Sequence, residues 1–224
     1  MSSKSKRMEA KSLSESLLTP EMIKGDIWNR SFHKPLGYPG DYIVMDSIYT
    51  GQDKGASIYD KLIHRIGLDV SRMIVTRKNV MRDLISTEIE RASYNRPFRI
   101  TNVACGSAQE VVEIVSNKSL DKEIKISLID QDHSALKFAY DQTYPQIIRK
   151  QKSTDLKLYH SSFTELMRGG ALVDLLPQQD LIYSLGLFDY FKQPRARILA
   201  ETFYDRLAPS GLLVIANLNP SLDN

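Results

Sequence analysis

The stretch that most constrains this chain is Arg99 to Asp132, RITNVACGSAQEVVEIVSNKSLDKEIKISLIDQD. An apolar run, Ile100 to Ala104, meets a tight turn at Cys105 and Gly106, and the turn opens a helix. Ser107 reads as the N-cap, and Glu110 completes a capping box with it. The helix continues through Val111, Val112, Ile114 and Val115, and a second strand, Ile124 to Ile129, ends at Asp130. A strand-turn-helix-strand unit of this kind holds nucleotides. Gly106 lets a ligand approach the backbone, and the helix N-terminus offers free N–H groups. Asp130 lies 24 residues after Gly106, close to the roughly 20 residues that separate such a loop from the acid that binds a ribose.

The same alternation continues to the end of the chain. Strand candidates are Ile100–Cys105, Ile124–Ile129, Leu156–His160, Leu181–Leu185 and Leu212–Leu218, with helices at Ser107–Ser116, Ser134–Tyr144 and Pro194–Leu207 between them. This predicts an α/β fold, a Rossmann-like doubly wound parallel sheet. The region before Pro97 reads differently. After a polar start expected to fray to about residue 12, apolar positions at helical spacing run through Tyr42–Tyr49, Ile58–Ile66 and one long helix from Val70 to Ile89. The expected division is therefore 1–95, a helical extension, and 96–224, the sheet domain. Within the extension, SFHKPLGYPGDY (Ser31 to Tyr42) is no regular element and is aromatic for a linker.

Composition excludes several classes. Hydrophobic residues make up 42% and charged residues 25%, ordinary for a soluble globular protein, and a net charge of +3 does not imply nucleic acid. Cys105 is the single cysteine, so no intrachain disulfide forms, which fits a reducing, cytoplasmic setting. No apolar run reaches spanning length, and MSSKSKRMEAKS is not a secretory signal. The four histidines are scattered, and no metal is expected.

Several motifs together carry a resemblance. The order of an acid-tipped strand, the strand DLIYS, the turn RLAPSG and the strand LLVIAN resembles a class I S-adenosylmethionine-dependent methyltransferase. HKPLGYPGDY, ACGSAQE, LIDQDHSALKFA and LIYSLGLFDYF are similar to a bacterial subfamily of small-molecule methyltransferases that includes enzymes forming 3-hydroxy fatty acid methyl esters. The resemblance implies S-adenosylmethionine as cofactor. Ala104, Cys105, Gly106 and Ser107 would wrap its methionine part, Asp130 its ribose and Gln131 its adenine. Ser162 and Phe163 stand where such enzymes place an acid on the adenine amino group, and Ser184 to Gly186 would floor the sulfonium. Asn102 replaces an acid near the cofactor's amino group, and alanines replace two glycines of the loop.

Other residues keep two readings. HKPLGYPGDY is either a connection packing Tyr38 and Tyr42 on a core or a lid, with Tyr38 on the donor and His33, Lys34 and Tyr42 toward the acceptor. Arg77 belongs to a solvated helix face or points inward to a carboxylate as a cofactor-binding residue. Asp189 lines the acceptor pocket or caps a helix. A carboxylate acceptor is already ionised at neutral pH and needs only donors to hold it, such as His33, Tyr42 or Arg77. A hydroxyl needs a base, for which His33, His160 or Asp189 are candidates. No Asn-Pro-Pro-Tyr motif follows the fourth strand, which argues against a nucleobase amino group. The expected activity is methyl transfer to a small-molecule oxygen. The alternatives are a non-catalytic remnant or an NAD-dependent oxidoreductase, the latter disfavoured by the thin glycine set and the lack of a Tyr-x-x-x-Lys pair. Such methyltransferases have seven strands, and only five can be placed here. The expected sheet order is 3-2-1-4-5, the chain is expected to be a shortened version, and Leu212–Leu218 is expected to be an edge open to self-association.

Overall fold

A computed structural model describes residues 3–93, 95–117, 122–150, 153–169 and 176–217. It resolves into two compact units, residues 1–76 and 77–224.

The first unit is helical: α1 (Ser3–Leu17), α2 (Thr19–Met22), α3 (Asp26–His33), α4 (Tyr42–Thr50), α5 (Ile58–Val70) and the start of α6 (Arg72–Arg91). Ile27, Val44, Ile48 and Leu68 form its buried core, with Ile74 and Val75 packed against them. The chain begins its first helix at Ser3 rather than fraying to residue 12, and the side chains described in α1 are exposed or nearly so. The long helix expected over Val70–Ile89 is α6, but it begins at Arg72 and Val70 instead ends α5, because the chain turns at Ser71, whose N–H bonds back to the carbonyls of Gly67 and Leu68. The Pro- and Gly-rich segment ends on Asp41, which is fully buried. Its Oδ1 accepts from the N–H groups of Ile43 and Val44, at 3.0 and 3.1 Å, and so caps α4. Arg30 Nε donates to the same oxygen at 2.8 Å.

The second unit holds the sheet: β1 (Phe98–Val103), α7 (Gln109–Ser116), β2 (Ile124–Asp130), α8 (His133–Lys150), β3 (Thr154–His160), α9 (Phe163–Met167), β4 (Gln179–Leu185), a 3-10 turn (Phe188–Tyr190), α10 (Gln193–Tyr204) and β5 (Leu207–Ala216). The strands are ordered β3-β2-β1-β4-β5 and all pairs are parallel, as expected. Strands β1, β2 and β4 are buried on both faces, which is why they read as nearly continuous apolar runs. One face packs Ile100, Ile126, Leu128 and Leu181 against Met81, Ile85 and Ile89 of α6 and Val111 and Ile114 of α7. The other packs Val103, Ile129 and Ile182 against Leu166, Leu199 and Phe203. The units therefore divide at Thr76 rather than at residue 95, because the second part of α6 supplies core residues to the sheet.

Several boundaries move from their expected places. Helix α8 runs through Pro145 to Lys150 instead of stopping at Tyr144, and Ile147, beyond the proline, is anchored in the sheet core. Strand β5 begins at Leu207, within the segment read as a turn. The RLAPSG irregularity is a bulge instead: the register against β4 shifts between Gln179 and Leu181, and Ser210 takes φ 64°. Among the described residues β5 pairs with β4 alone, and Leu212 and Ile215 are 37% and 38% exposed. Leu218, the last residue of the expected fifth strand, lies outside the described residues, as do residues 170–175 between β3 and β4.

Asp41 gives a direct test of the first unit. Asp41→Ala removes a cap and leaves Arg30 without its carboxylate, and is expected to cost about 2–4 kcal/mol. Urea denaturation followed by circular dichroism reads the loss; a change under about 0.5 kcal/mol would contradict the assigned role.

Candidate active site

The order β3-β2-β1-β4-β5 reverses direction between β1 and β4, and the loops after these strands leave from the same end of a parallel sheet. That crevice is where open α/β sheets bind ligands. The loop after β1 is unusual: Ala104, Gly106 and Ala108 all have positive φ, at 58°, 53° and 47°. The two alanines thus keep left-handed backbone where the common loop has glycine, at a cost of about 1–2 kcal/mol each. A Cβ on Gly106 would meet nothing within 4 Å, so its face of the loop is open.

Tertiary bonds hold this strained loop. Gly106 N–H donates to Asp130 Oδ2 at 2.9 Å, and Cys105 N–H to the Ile129 carbonyl at 3.2 Å. The other Asp130 oxygen, Oδ1, accepts from Asp132 N–H at 2.9 Å. Asp130 is 5% exposed. Burial pushes its carboxyl up, against the downward pull of the Gly106 and Asp132 N–H groups. A carboxylate has about four acceptor sites, and the backbone N–H groups of Gly106, Asp132 and, more weakly, Gln131 do not fill them, so acceptor capacity remains for a ligand hydroxyl.

The capping box expected at Ser107 does not form. Helix α7 starts at Gln109, after a left-handed Ala108, and no side chain caps it. With the helix start displaced to Gln109, Ser107 is not the N-cap, and its buried Oγ has no hydrogen-bond partner. Glu110 is drawn inward instead. Its Oε1 accepts from Asn102 Nδ2 at 2.9 Å and from the Tyr183 hydroxyl at 2.8 Å, and it is 2% exposed. Burial pushes the Glu110 carboxyl up, partly offset by the hydrogen bonds it accepts. The donors come from β1 and β4, so Glu110 joins the two strands that flank the crevice. Asn102 and Glu110 together bring a carboxyl group beside the position where the resemblance expects an acid. The sequence signal was the pair itself, a polar residue inside an apolar strand and an acid one turn into the helix.

A family profile described as "Putative methyltransferase" matches residues 39–217. The chain belongs to this methyltransferase family. No curated protein matches the sequence. Among solved structures, a "possible exported protein" from Bordetella parapertussis aligns with 100% of this chain and 76% of its own, at 19% identity and a TM-score of 0.59. The CMeT domain of the citrinin polyketide synthase aligns over 92% of this chain and 51% of its own, at 14% identity and a TM-score of 0.53. A SAM-dependent methyltransferase from Geobacter sulfurreducens, in complex with S-adenosyl-L-homocysteine, aligns over 60% and 46% at 12% identity and a TM-score of 0.41. At these identities the likeness to the first two is one of fold alone, and this chain spans only about half the length of the last two proteins.

The other expected site residues of this methyltransferase fall into three groups. Ser184 and Gly186 lie at the crevice, at the end of β4, where Ser184 Oγ donates to the Val103 carbonyl at 2.8 Å and so ties β4 to β1. Arg77, on α6, packs its guanidinium against Gly186. Cys105 is buried in the loop, and burial pushes its thiol up, so it stays protonated.

A second group surrounds the ends of β2 and β3. The Gln131 side chain is exposed, and its carbonyl lies 3.0 Å from His160 Nε2. Ser162 Oγ accepts from Glu165 N–H at 3.2 Å, and the Glu165 carboxylate accepts from Ser162 N–H at 3.0 Å. Ser162 is thus the N-cap of α9, and Phe163, its first residue, stacks edge-on against Phe191 at 6.1 Å. Asp189 stands exposed in the 3-10 turn after β4.

His33, Tyr38 and Tyr42 form the third group, in the helical unit: His33 exposed at the end of α3, Tyr38 half-buried in the connection, and Tyr42 opening α4. Among the described residues no cluster of three His, Cys, Asp or Glu side chains is placed to hold a metal ion. Among the described residues no helix is long and apolar enough to cross a membrane.

The raised Glu110 carboxyl makes a signed prediction. An acid that holds its proton more tightly when folded contributes stability at low pH that is lost as pH rises from the unfolded value, about 4.3, through the folded one. Glu110→Gln keeps an acceptor for Asn102 and Tyr183 and removes that loss. Its stability relative to the parent should therefore improve between pH 4 and pH 8 in urea titrations. An equal difference at both pH values would contradict the burial assigned to Glu110.

Proposed function

We propose that this chain transfers the methyl group of S-adenosylmethionine to an oxygen of a small molecule, with the carboxylate of a hydroxy fatty acid-like compound as the favoured acceptor. The observation that carries the donor is the pairing of Asp130 with the open, left-handed Gly106 at the switch point of the sheet. The residues fit that cofactor: Asp130 retains acceptor capacity for ribose hydroxyls, Gly106 leaves room for the methionine chain, and the unpartnered Ser107 hydroxyl is available as a polar contact. Gln131 and Ser162 would border the adenine. The Ser162 hydroxyl already serves as a helix cap, so it would offer adenine its second lone pair.

When bound, S-adenosylmethionine supplies an activated methyl group. The chain's own part is alignment and exclusion of water. The β1 loop and the Ser184–Gly186 end of β4 are held rigidly by the Asp130, Glu110 and Ser184 bonds, so both walls of the crevice are preorganised. An ionised carboxylate acceptor needs no base, which suits a crevice whose acids Asp130 and Glu110 are buried and bonded to protein donors. The oxygen acceptor, its fatty-acid character and the roles of His33, Tyr42 and Asp189 in holding it rest on the sequence resemblance. They are tested by replacing each residue and following turnover on labelled methyl donor with a panel of 3-hydroxy fatty acids, amino acids and phenols. Self-association along the edge of β5 is a further proposal, supported by the exposure of Leu212 and Ile215 and tested by light scattering.

The donor has its own test. Isothermal titration should detect S-adenosylhomocysteine binding and no NADH binding. Asp130→Ala should weaken S-adenosylhomocysteine by about 1.5–3 kcal/mol, the worth of hydrogen bonds to a charged group. NADH binding in place of S-adenosylhomocysteine would favour the oxidoreductase reading. Unchanged affinity in Asp130→Ala would remove Asp130 from the site.

A further inference from the structure

Helix α6 presents several cations in the sheet unit, and all but one face a carboxylate. Lys78 pairs with Glu113, Arg82 with Asp83 and Glu113, and Arg91 with Glu88. Arg77 has no such partner among the described residues, and its Nε is buried without a hydrogen bond. A buried guanidinium N–H without an acceptor carries a desolvation penalty that folding does not recover.

The position of Arg77 explains where the missing acceptor belongs. Its Nη1 lies 2.9 Å, and Nη2 3.4 Å, from the point a Cβ on residue 186 would occupy. Gly186 takes φ 86° and follows β4 directly, and its N–H donates to the Ala216 carbonyl at 2.7 Å. Glycine at 186 therefore serves two needs at once: the left-handed backbone, and space for a guanidinium over the end of β4. That end borders the β1–β4 crevice. A sulfonium in the same crevice would be repelled by an unpaired guanidinium, and an anionic group of the ligand at Arg77 would relieve that repulsion. A guanidinium's planar fork suits a carboxylate in particular.

We propose that Arg77 receives the methionyl carboxylate of the methyl donor, with Gly186 present to let it reach. This rests on the donor assignment above. The test compares two ligands by isothermal titration: S-adenosylhomocysteine, and 5′-methylthioadenosine, which keeps the nucleoside and thioether but lacks the amino-acid end. Arg77→Ala should weaken S-adenosylhomocysteine about 10–100-fold and leave 5′-methylthioadenosine unchanged, which also shows that the variant is folded. Arg77→Lys should recover part of the loss, because a point charge replaces a fork. Equal weakening of both ligands, or of neither, would overturn the assignment. Unchanged S-adenosylhomocysteine binding with loss of turnover would also overturn it, by moving the recognised carboxylate to the acceptor. A parent chain that binds neither ligand would overturn the donor assignment itself.

Discussion

The sheet unit depends on the carboxylate of Asp130. It stands at the tip of a strand buried on both faces and ties the β1 loop to the β2 loop through two backbone N–H groups. Three left-handed residues in five positions, two of them alanine, would not hold this shape as a free peptide. The bond to Gly106 and the Cys105–Ile129 backbone bond offset that strain. The result is a loop, open at Gly106, whose geometry the protein itself fixes.

Glu110 performs the matching task underneath. Burying a carboxyl group is costly unless it is hydrogen-bonded, and here the Asn102 amide and Tyr183 hydroxyl supply the bonds. Because these donors sit on β1 and β4, the network fixes the width of the crevice at the point where strand order reverses. Ser184 adds a second tie between the same strands. The strands that would contact a ligand are thus held together by side chains as well as by the backbone ladder.

The helical unit shows another use of a buried acid. Asp41 satisfies two orphan N–H groups of α4 and the Arg30 guanidinium at once, which anchors the end of a segment otherwise made of proline, glycine and aromatic residues. The large exposed apolar side chains of α5, Ile58 at 89% and Leu62 at 56%, contrast with its small buried core.

Patterns of short range determined much of this protein from sequence alone. The parallel order of the strands, the two-faced burial of β1, β2 and β4 and the placement of Asp130 against Gly106 all follow from apolar runs, one glycine and one spacing. The tertiary structure decided what depends on partners distant in the chain. Ser107 and Glu110 make a sound capping box by local rules, yet a left-handed Ala108 and the donors at positions 102 and 183 drew Glu110 inward. Val70 and Met73 share a helical period, yet Ser71 breaks the helix between them. Residues 77–91 read as part of a helical extension, yet the sheet needed their apolar face. Arg77 carried two readings because nothing near it in sequence distinguishes a solvated cation from one laid across Gly186. Local spacing reports which faces are apolar and where the chain turns; it does not report which distant group will satisfy a buried charge, and that pairing is what shapes the site.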